Sequence, residues 1–418
     1  MEIPAYIEID HNLPADLCAL RDSVHRFAKE VLRPTATELD RLFDPRDVIA
    51  PGSPLWSFMR RAFALGYHTA SFPEAIGGLG LHGLGMQIFL EELGWGSADL
   101  AISLLIAGAP FRALAMTGNP ELIDAFVKPF IADRDARFIG SCPVTEPNHG
   151  SDWEMFLTSE GEANSAGRVT IRREGDSYVV HGQKAAWVSN GTISTHGMVY
   201  LMAPPANGKP AGGVVAFIPF DLPGVSKGKP LNKIGQRALN QGEVFFDDVR
   251  IPDRYVLATP EAFPMVAAII STNGNSAVAA VFTGVARAAF EAALEYSKQR
   301  IQGGKPICEH QLVQKRLFDM FTRVEACRAL SRAVMIHNDS PPAMDLEYAI
   351  AAKTFCSQAS FEVASDALQI FGGNGLSREY PIEKIFRDAR ASLIQEGTND
   401  VLSLTGARRI LDRDAAPI

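Results

Sequence analysis

The chain lacks most of the signatures that betray chemistry by themselves. Its five cysteines (Cys18, Cys142, Cys308, Cys327, Cys356) lie far apart in 418 residues, with no C-x-x-C pair. That spacing argues against disulfides or zinc and for buried thiols in a reducing compartment, expected to be the cytoplasm. Nine histidines form no H-x-x-x-H pair, so no metal site is expected. No long Lys/Arg cluster is present and the net charge is −8, which argues against nucleic acid as a main partner. No apolar run reads as long enough for a membrane span. The first ten residues, Met1 to Asp10, are acidic and lack the basic start and apolar core of a signal peptide. There is no internal repeat and no low-complexity segment.

What is present is ordinary in bulk and informative in order. A hydrophobic fraction of 47% and a charged fraction of 21% are those of a globular protein. At this length two or three domains are expected. Apolar residues recur at helical spacing over 15–42, where Pro34 marks a bend or break, and over 54–66, 84–95, 99–107 and 120–132. Gly78-Leu79-Gly80-Leu81-His82-Gly83 matches a dinucleotide-binding pattern, but the preceding Phe72 to Gly77 reads as a turn. Without a strand before it, this is a glycine-rich loop. From about residue 138 short β-type runs follow: 169–171, 178–180, 186–188, 198–202, 213–218 and 244–246. Gly, Pro, Asn and Asp separate them, as in an antiparallel barrel or sandwich. Helical patterns return over 262–301, with Gly284 allowing close packing, and over 309–337, 343–371 and 399–412. The expected class is α+β, with a helical domain (1–137), a β domain (138–255) and a C-terminal helical bundle (256–418).

One short stretch holds a candidate for chemistry. In Ile394-Gln395-Glu396-Gly397-Thr398-Asn399-Asp400, a carboxylate sits beside a glycine and just ahead of a helix start. Thr398 or Asn399 suits the cap. A carboxylate on a loop pinned by a helix end is aimed with little freedom, as a catalytic base requires. A capping segment with an incidental glutamate fits the same residues.

The wider motif set resembles the acyl-CoA dehydrogenase family over about residues 13–412. The residues that carry the resemblance are Val144 to Asp152 (VTEPNHGSD), Gly182 to Gly191 (GQKAAWVSNG) and Phe245 to Pro252 (FFDDVRIP). Arg300, His310-Gln311, Gln369 to Gly375 (QIFGGNG) and Glu396-Gly397-Thr398 complete it. The resemblance implies FAD and α,β-desaturation of an acyl thioester. Glu396 would take the α proton while hydride leaves Cβ for flavin N5, and its own backbone N–H would help polarise the thioester oxygen. It implies cofactor contacts from Val144, Thr145, Gly150, Ser151, Trp187, Ser189, Thr398 and Asp400. Arg300, Gln311, Gln369, Gly372 and Gly373 would contact the cofactor of a neighbouring subunit, hence a homotetramer. Asn275 and Gly397 would meet the acyl-CoA, and electrons would pass to an electron-transferring flavoprotein. Taken singly, Thr145 and Ser151 are ordinary turn residues, Trp187 an ordinary core residue of a strand, and Arg300 a solvated helix-end charge.

The chain departs from the family pattern at three points. Thr272-Asn273-Gly274-Asn275-Ser276 is small and neutral where charged residues are usual, with Asn275 at an arginine position. Gly303 replaces a phenylalanine, and Gln395 a tyrosine. These departures keep other readings open: an acyl-carrier-protein substrate, a flavin-dependent monooxygenase, or an inactive flavin-bearing subunit. Burial would raise the Glu396 pKa and the helix start would lower it; the sequence leaves that balance undecided.

Overall fold

The alanine-rich stretch expected at 262–301 is a single helix, Phe263–Gln299, and the rest of the molecule packs along it. Its small residues permit backbone contact. A Cβ added to Gly284 would lie 2.0 Å from the Glu91 carbonyl oxygen, and one added to Gly94 would lie 2.0 Å from that of Val281. Helix Gly83–Gly96 therefore crosses the long helix where neither has a side chain in the way. Beside the crossing, buried Arg287 donates to Glu91 (2.9 Å) and Glu92 (2.7 Å), and Arg328 of helix Gln311–Asn338 donates to Glu91 (2.8 Å). Burial opposes the charge on Glu91, but Arg328 and Arg287 outweigh it and hold the carboxyl down to about 2. Ion pairs of this kind register one helix on another more than they add net stability.

The computed structural model describes residues 13–153, 167–205, 211–340 and 344–412. The N-terminal residues read above for a leader lie outside this set. The stretch 15–42 is helical in three segments, Ala15–Phe27, a π-type turn at Ala28–Leu32 and Arg33–Arg41. Pro34, without an N–H, opens the third segment, which places the widened turn just before it. The next helices are Pro54–Ala64, Gly83–Gly96 and Ala98–Met116. The glycine-rich loop at 78–83 has no strand before it, as expected.

The middle domain departs from the antiparallel expectation. Its strands are β1 (Gly140–Ser141), β2 (Thr170–Glu174), β3 (Ser177–Lys184), β4 (His196–Ala203), β5 (Gly212–Pro219), β6 (Val225–Lys227), β7 (Val244–Pro252) and β8 (Val256–Ala258). They form one mixed sheet in the order β6-β7-β3-β2-β4-β5-β8. Most pairs are antiparallel, but β4 pairs in parallel with both β1 and β2. The run 186–188 is not a strand: β3 ends at Lys184, and Trp187 stands in the turn that follows.

The C-terminal bundle continues with Gln311–Asn338, Leu346–Phe371 and Asn399–Asp412. Helix Ile382–Ala391 was not expected. Its inward face carries Lys384 and Asp388, whose charges interrupt the apolar stripe. They are paired: Lys384 donates to Asp99 (3.0 Å) and Ser97 (2.9 Å), and also to Asp388. Two helices, Ala98–Met116 and Phe263–Gln299, do reach the length and apolarity of a membrane span, contrary to the sequence reading. Both lie largely inside the protein, with 61% and 83% of their most apolar windows buried.

Candidate active site

Glu396 has left-handed backbone angles (φ 54°), uncommon for a residue with a side chain, and Gly397 follows at φ 90°. This pair turns the chain sharply between Ser392 and the helix at Asn399. Strain of that sort persists only where the surroundings hold it. Here they do so on three sides. Lys353 of helix Leu346–Phe371 donates to the Gly397 carbonyl at 2.6 Å and to Asn399 Oδ1 at 2.9 Å. The Thr398 N–H donates to Ser151 Oγ at 2.9 Å. Gln236, itself at φ 49°, donates from Nε2 to Gln395 Oε1 at 2.6 Å and from its backbone N–H to Asp388. Gln395 thus has a specific partner in this chain, which accounts for the glutamine at that position.

The Glu396 carboxylate lies on the long helix at Gly274. A Cβ built there would be 2.0 Å from Oε1 and 2.7 Å from Cδ. Burial pushes the Glu396 carboxyl above its ordinary value, and Lys353 pulls the other way without reversing the shift. Burial therefore wins the balance that the sequence left open. The Cys142 thiol is pushed up to about 12 by burial and by the nearby Glu396 charge, away from the thiolate form.

The turn that carries Val144 to Ser151 is held by Glu146. Its backbone exchanges hydrogen bonds with His149, and its carboxylate accepts from buried Lys184 (2.9 Å) and from the Arg168 and Val169 N–H groups. Lys184 also donates to the Val144 carbonyl (2.9 Å), and burial pulls its ammonium down to about 8. Ala185 N–H donates to the Thr145 carbonyl, so this turn and the 185–189 turn are joined. Ser189 bridges to Gln241. Ser151→Ala removes the acceptor for Thr398 N–H. It is expected to cost about 1 kcal/mol, read as a lower denaturation midpoint of the flavin-free protein.

Trp187 and Gly150, two of the residues assigned to the flavin by resemblance, leave room for a planar ring system. The Trp187 indole is 60% exposed, an unusual state for so large a ring, and Gly150 has open space where a Cβ would stand. Ser151 and Thr398 are joined by a hydrogen bond two residues beyond Glu396, while Asp400 is exposed as the second residue of the last helix. Asn275 follows Gly274 directly, but its side chain is fully buried and donates to Ser271 of its own helix. The structure does not place it toward open space as a substrate contact.

Arg300, Gln311, Gln369, Gly372 and Gly373 form a second, exposed group. They gather around the far end of the long helix, where Tyr296 stacks on Phe371 at 4.1 Å. Gly274 and Arg300 are 26 positions apart, about 39 Å along the helix at the standard rise. Between them and the next helix runs a hairpin whose turn is Gly303 (φ 60°) and Gly304 (φ 79°). Two consecutive left-handed residues favour glycine, which gives Gly303 a structural reason.

Sequence reasoning missed Lys353 and Gln236, and took in Gly274 only as part of the small, neutral stretch 272–276. Lys353 lies inside a helix, and only tertiary contact reveals it. Among the described residues, one group with metal-ligand geometry is present, His181, Asp247 and Asp248, and all three are exposed.

Family models cover this layout domain by domain. The acyl-CoA dehydrogenase N-terminal domain matches residues 14–134, the middle domain 141–249 and the C-terminal domain 272–411. The chain belongs to the acyl-CoA dehydrogenase family. It is similar to cyclohexane-1-carbonyl-CoA dehydrogenase of Geobacter metallireducens, with 30% identity over 97% of this chain and 100% of the relative. The butyryl-CoA dehydrogenase structure from Megasphaera elsdenii superposes with a TM-score of 0.83 at 28% identity, covering 96% of this chain and 100% of the other. A chain from work on the electron transferring flavoprotein of Acidaminococcus fermentans gives 0.84 at 28%, over 96% and 100%. This dehydrogenase is an FAD-dependent oxidoreductase acting on an acyl-CoA.

Proposed function

We propose that Glu396 is the base that removes the α proton of the acyl-CoA. The observation that carries this reading is its carboxylate, seated half-buried on Gly274 where no side chain intervenes, with its proton affinity raised. A raised proton affinity brings a carboxylate closer to neutral pH, which strengthens it as a base in its ionised form. Val144, Thr145, Gly150, Ser151, Trp187, Ser189, Thr398 and Asp400 are the residues that hold FAD on this side. FAD, when bound, supplies the acceptor for the hydride that leaves Cβ. Glu396 receives the proton, Gly397 gives its loop room to turn, and the Trp187 ring excludes water.

The exposed group at Arg300, Gln311, Gln369, Gly372 and Gly373 serves the cofactor of an adjoining subunit. Its distance of about 39 Å from Gly274 along one helix supports this, because a single chain cannot bring both groups to one ring system. A homotetramer is the assembly proposed, and light scattering at four times the chain mass tests it. An electron-transferring flavoprotein is the proposed acceptor, supported by the likeness to the Acidaminococcus fermentans chain. A cytoplasmic location is part of the same reading, in keeping with five free cysteines.

A branched or cyclic acyl group is the substrate proposed, in keeping with the cyclohexane-1-carbonyl-CoA for which the Geobacter relative is named. Anaerobic mixing with straight, branched, cyclic and aromatic acyl-CoAs is expected to bleach the flavin, fastest with a branched or cyclic acyl group. Failure of every acyl-CoA, together with oxygen uptake on adding reduced flavin, would overturn the dehydrogenase reading.

A further inference from the structure

Lys353 is a charged residue with no solvent exposure, in the middle of helix Leu346–Phe371. Burying an ammonium is costly unless its surroundings answer its charge. The geometry around it is specific. Its Nζ donates to the Gly397 carbonyl at 2.6 Å and to Asn399 Oδ1 at 2.9 Å. Asn399 is in turn fixed by Ser357, whose Oγ donates to Asn399 Oδ1 at 3.1 Å. On the other face of the same peptide, Thr398 N–H donates to Ser151 Oγ. The Gly397–Thr398 peptide is thus gripped at its carbonyl by the bundle and at its N–H by the turn of the middle domain. Glu396 is the residue immediately before it, at φ 54°.

We propose that Lys353 is a positioning residue for proton abstraction: its ammonium clamps the Glu396–Gly397 turn and supplies the positive charge against which the half-buried carboxylate is held. This rests on the reading of Glu396 as the base. The two functions share one geometry. A hydrogen bond from a cation is among the stronger ones available to a backbone carbonyl, so the strained turn is held against relaxation. The same charge offsets part of the burial that favours protonated Glu396.

The charged and titratable groups around the carboxylate come from three directions. Lys353 lies on the bundle side, and Cys142 follows β1 on the sheet side. Arg112, on helix Ala98–Met116, acts on Cys142 beyond it. Asp388 and Lys384 stand behind Gln395 through Gln236. Of these, Lys353 is the cation that opposes protonation of Glu396.

The sign follows directly. Abstraction needs ionised Glu396, so the rate climbs as pH passes through its titration. Without the Lys353 charge, that climb moves to higher pH. In the FAD-loaded enzyme, Lys353→Met is expected to bleach about tenfold more slowly at the acid end of the profile relative to its own alkaline plateau. Lys353→Arg, which keeps the charge, is expected to restore the acid-end rate. If Lys353→Met does not fold, Asn399→Asp decides, because it sets a negative charge against the ammonium without changing shape. It is expected to move the climb in the same direction. Carboxyl-carbon NMR of glutamate-labelled protein, with Glu396 identified by its loss in Glu396→Gln, reads the titration independently of turnover. A Glu396 titration that stays in place in Lys353→Met, or in Asn399→Asp where only that variant folds, overturns the proposal. Full activity of Glu396→Gln would overturn the base assignment instead, so the two failures are distinguishable.

Discussion

Glu396→Gln is expected to slow acyl-CoA-dependent flavin bleaching by about 10³-fold or more, while the protein keeps its flavin. Positioned acid–base groups contribute on the order of 10²–10⁴ in rate. A loss of 10³ corresponds to about 4 kcal/mol of barrier. Glutamine has the shape of the glutamate it replaces, so the seat on Gly274 remains filled and the left-handed turn keeps its clamps at Gly397 and Thr398. Losing the carboxylate also removes the burial cost of a charge that sits above its ordinary titration range. The variant should therefore be no less stable to denaturant above neutral pH, where native Glu396 is ionised against that cost. Stopped-flow absorbance gives the rate, and the visible spectrum of the purified protein gives the flavin content. A variant that bleaches within tenfold of the native rate would end the assignment of Glu396 as base.

The parts of the molecule that were legible in sequence are those written locally. Helical spacing announces Phe263–Gln299, and Gly284 reads as a close-packing point, in keeping with its contact with Glu91. The VTEPNHGSD stretch gains its meaning only together with the other motifs, and its anchor is hidden from the sequence, because Lys184 lies 38 residues beyond Glu146. Ser151 and Thr398, joined by one hydrogen bond, are 247 residues apart. Trp187 illustrates the opposite error. Its apolar neighbours read as a strand, which made a core tryptophan the natural reading, whereas the chain leaves the sheet at Lys184 and exposes the ring. Helix Ile382–Ala391 was hidden for a related reason. Its buried face carries a lysine and an aspartate that only make sense beside Asp99, nearly 300 residues earlier. The position of Glu396 was legible as a loop before a helix; its direction was not, since φ 54° is a property of the assembled turn.

Gly274→Ala is expected to lower turnover by about a hundredfold without lowering stability. A new Cβ would stand 2.0 Å from Glu396 Oε1 and 2.7 Å from Cδ, well inside contact distance. The three nearest atoms, Oε1, Cδ and Cγ, all belong to the Glu396 side chain. The long helix can therefore keep its course while the carboxylate swings away by about 1 Å, and a misplacement of that size costs about 10² in rate. In a helix interior, alanine is favoured over glycine by about 1 kcal/mol, so the unfolding midpoint should hold or rise. That combination separates two roles for the glycine. If Gly274 only let helices pack, as Gly94 and Gly284 do against backbone carbonyls, alanine would lower stability and activity together. If it is the seat of the base, activity falls alone, with the loss in kcat exceeding any change in KM. Retained turnover in Gly274→Ala would show that Glu396 works from a different orientation than the one seen against this helix. A seated base gives Gly274 its reason: the long helix carries no side chain at this position, so the Glu396 carboxylate can rest against it.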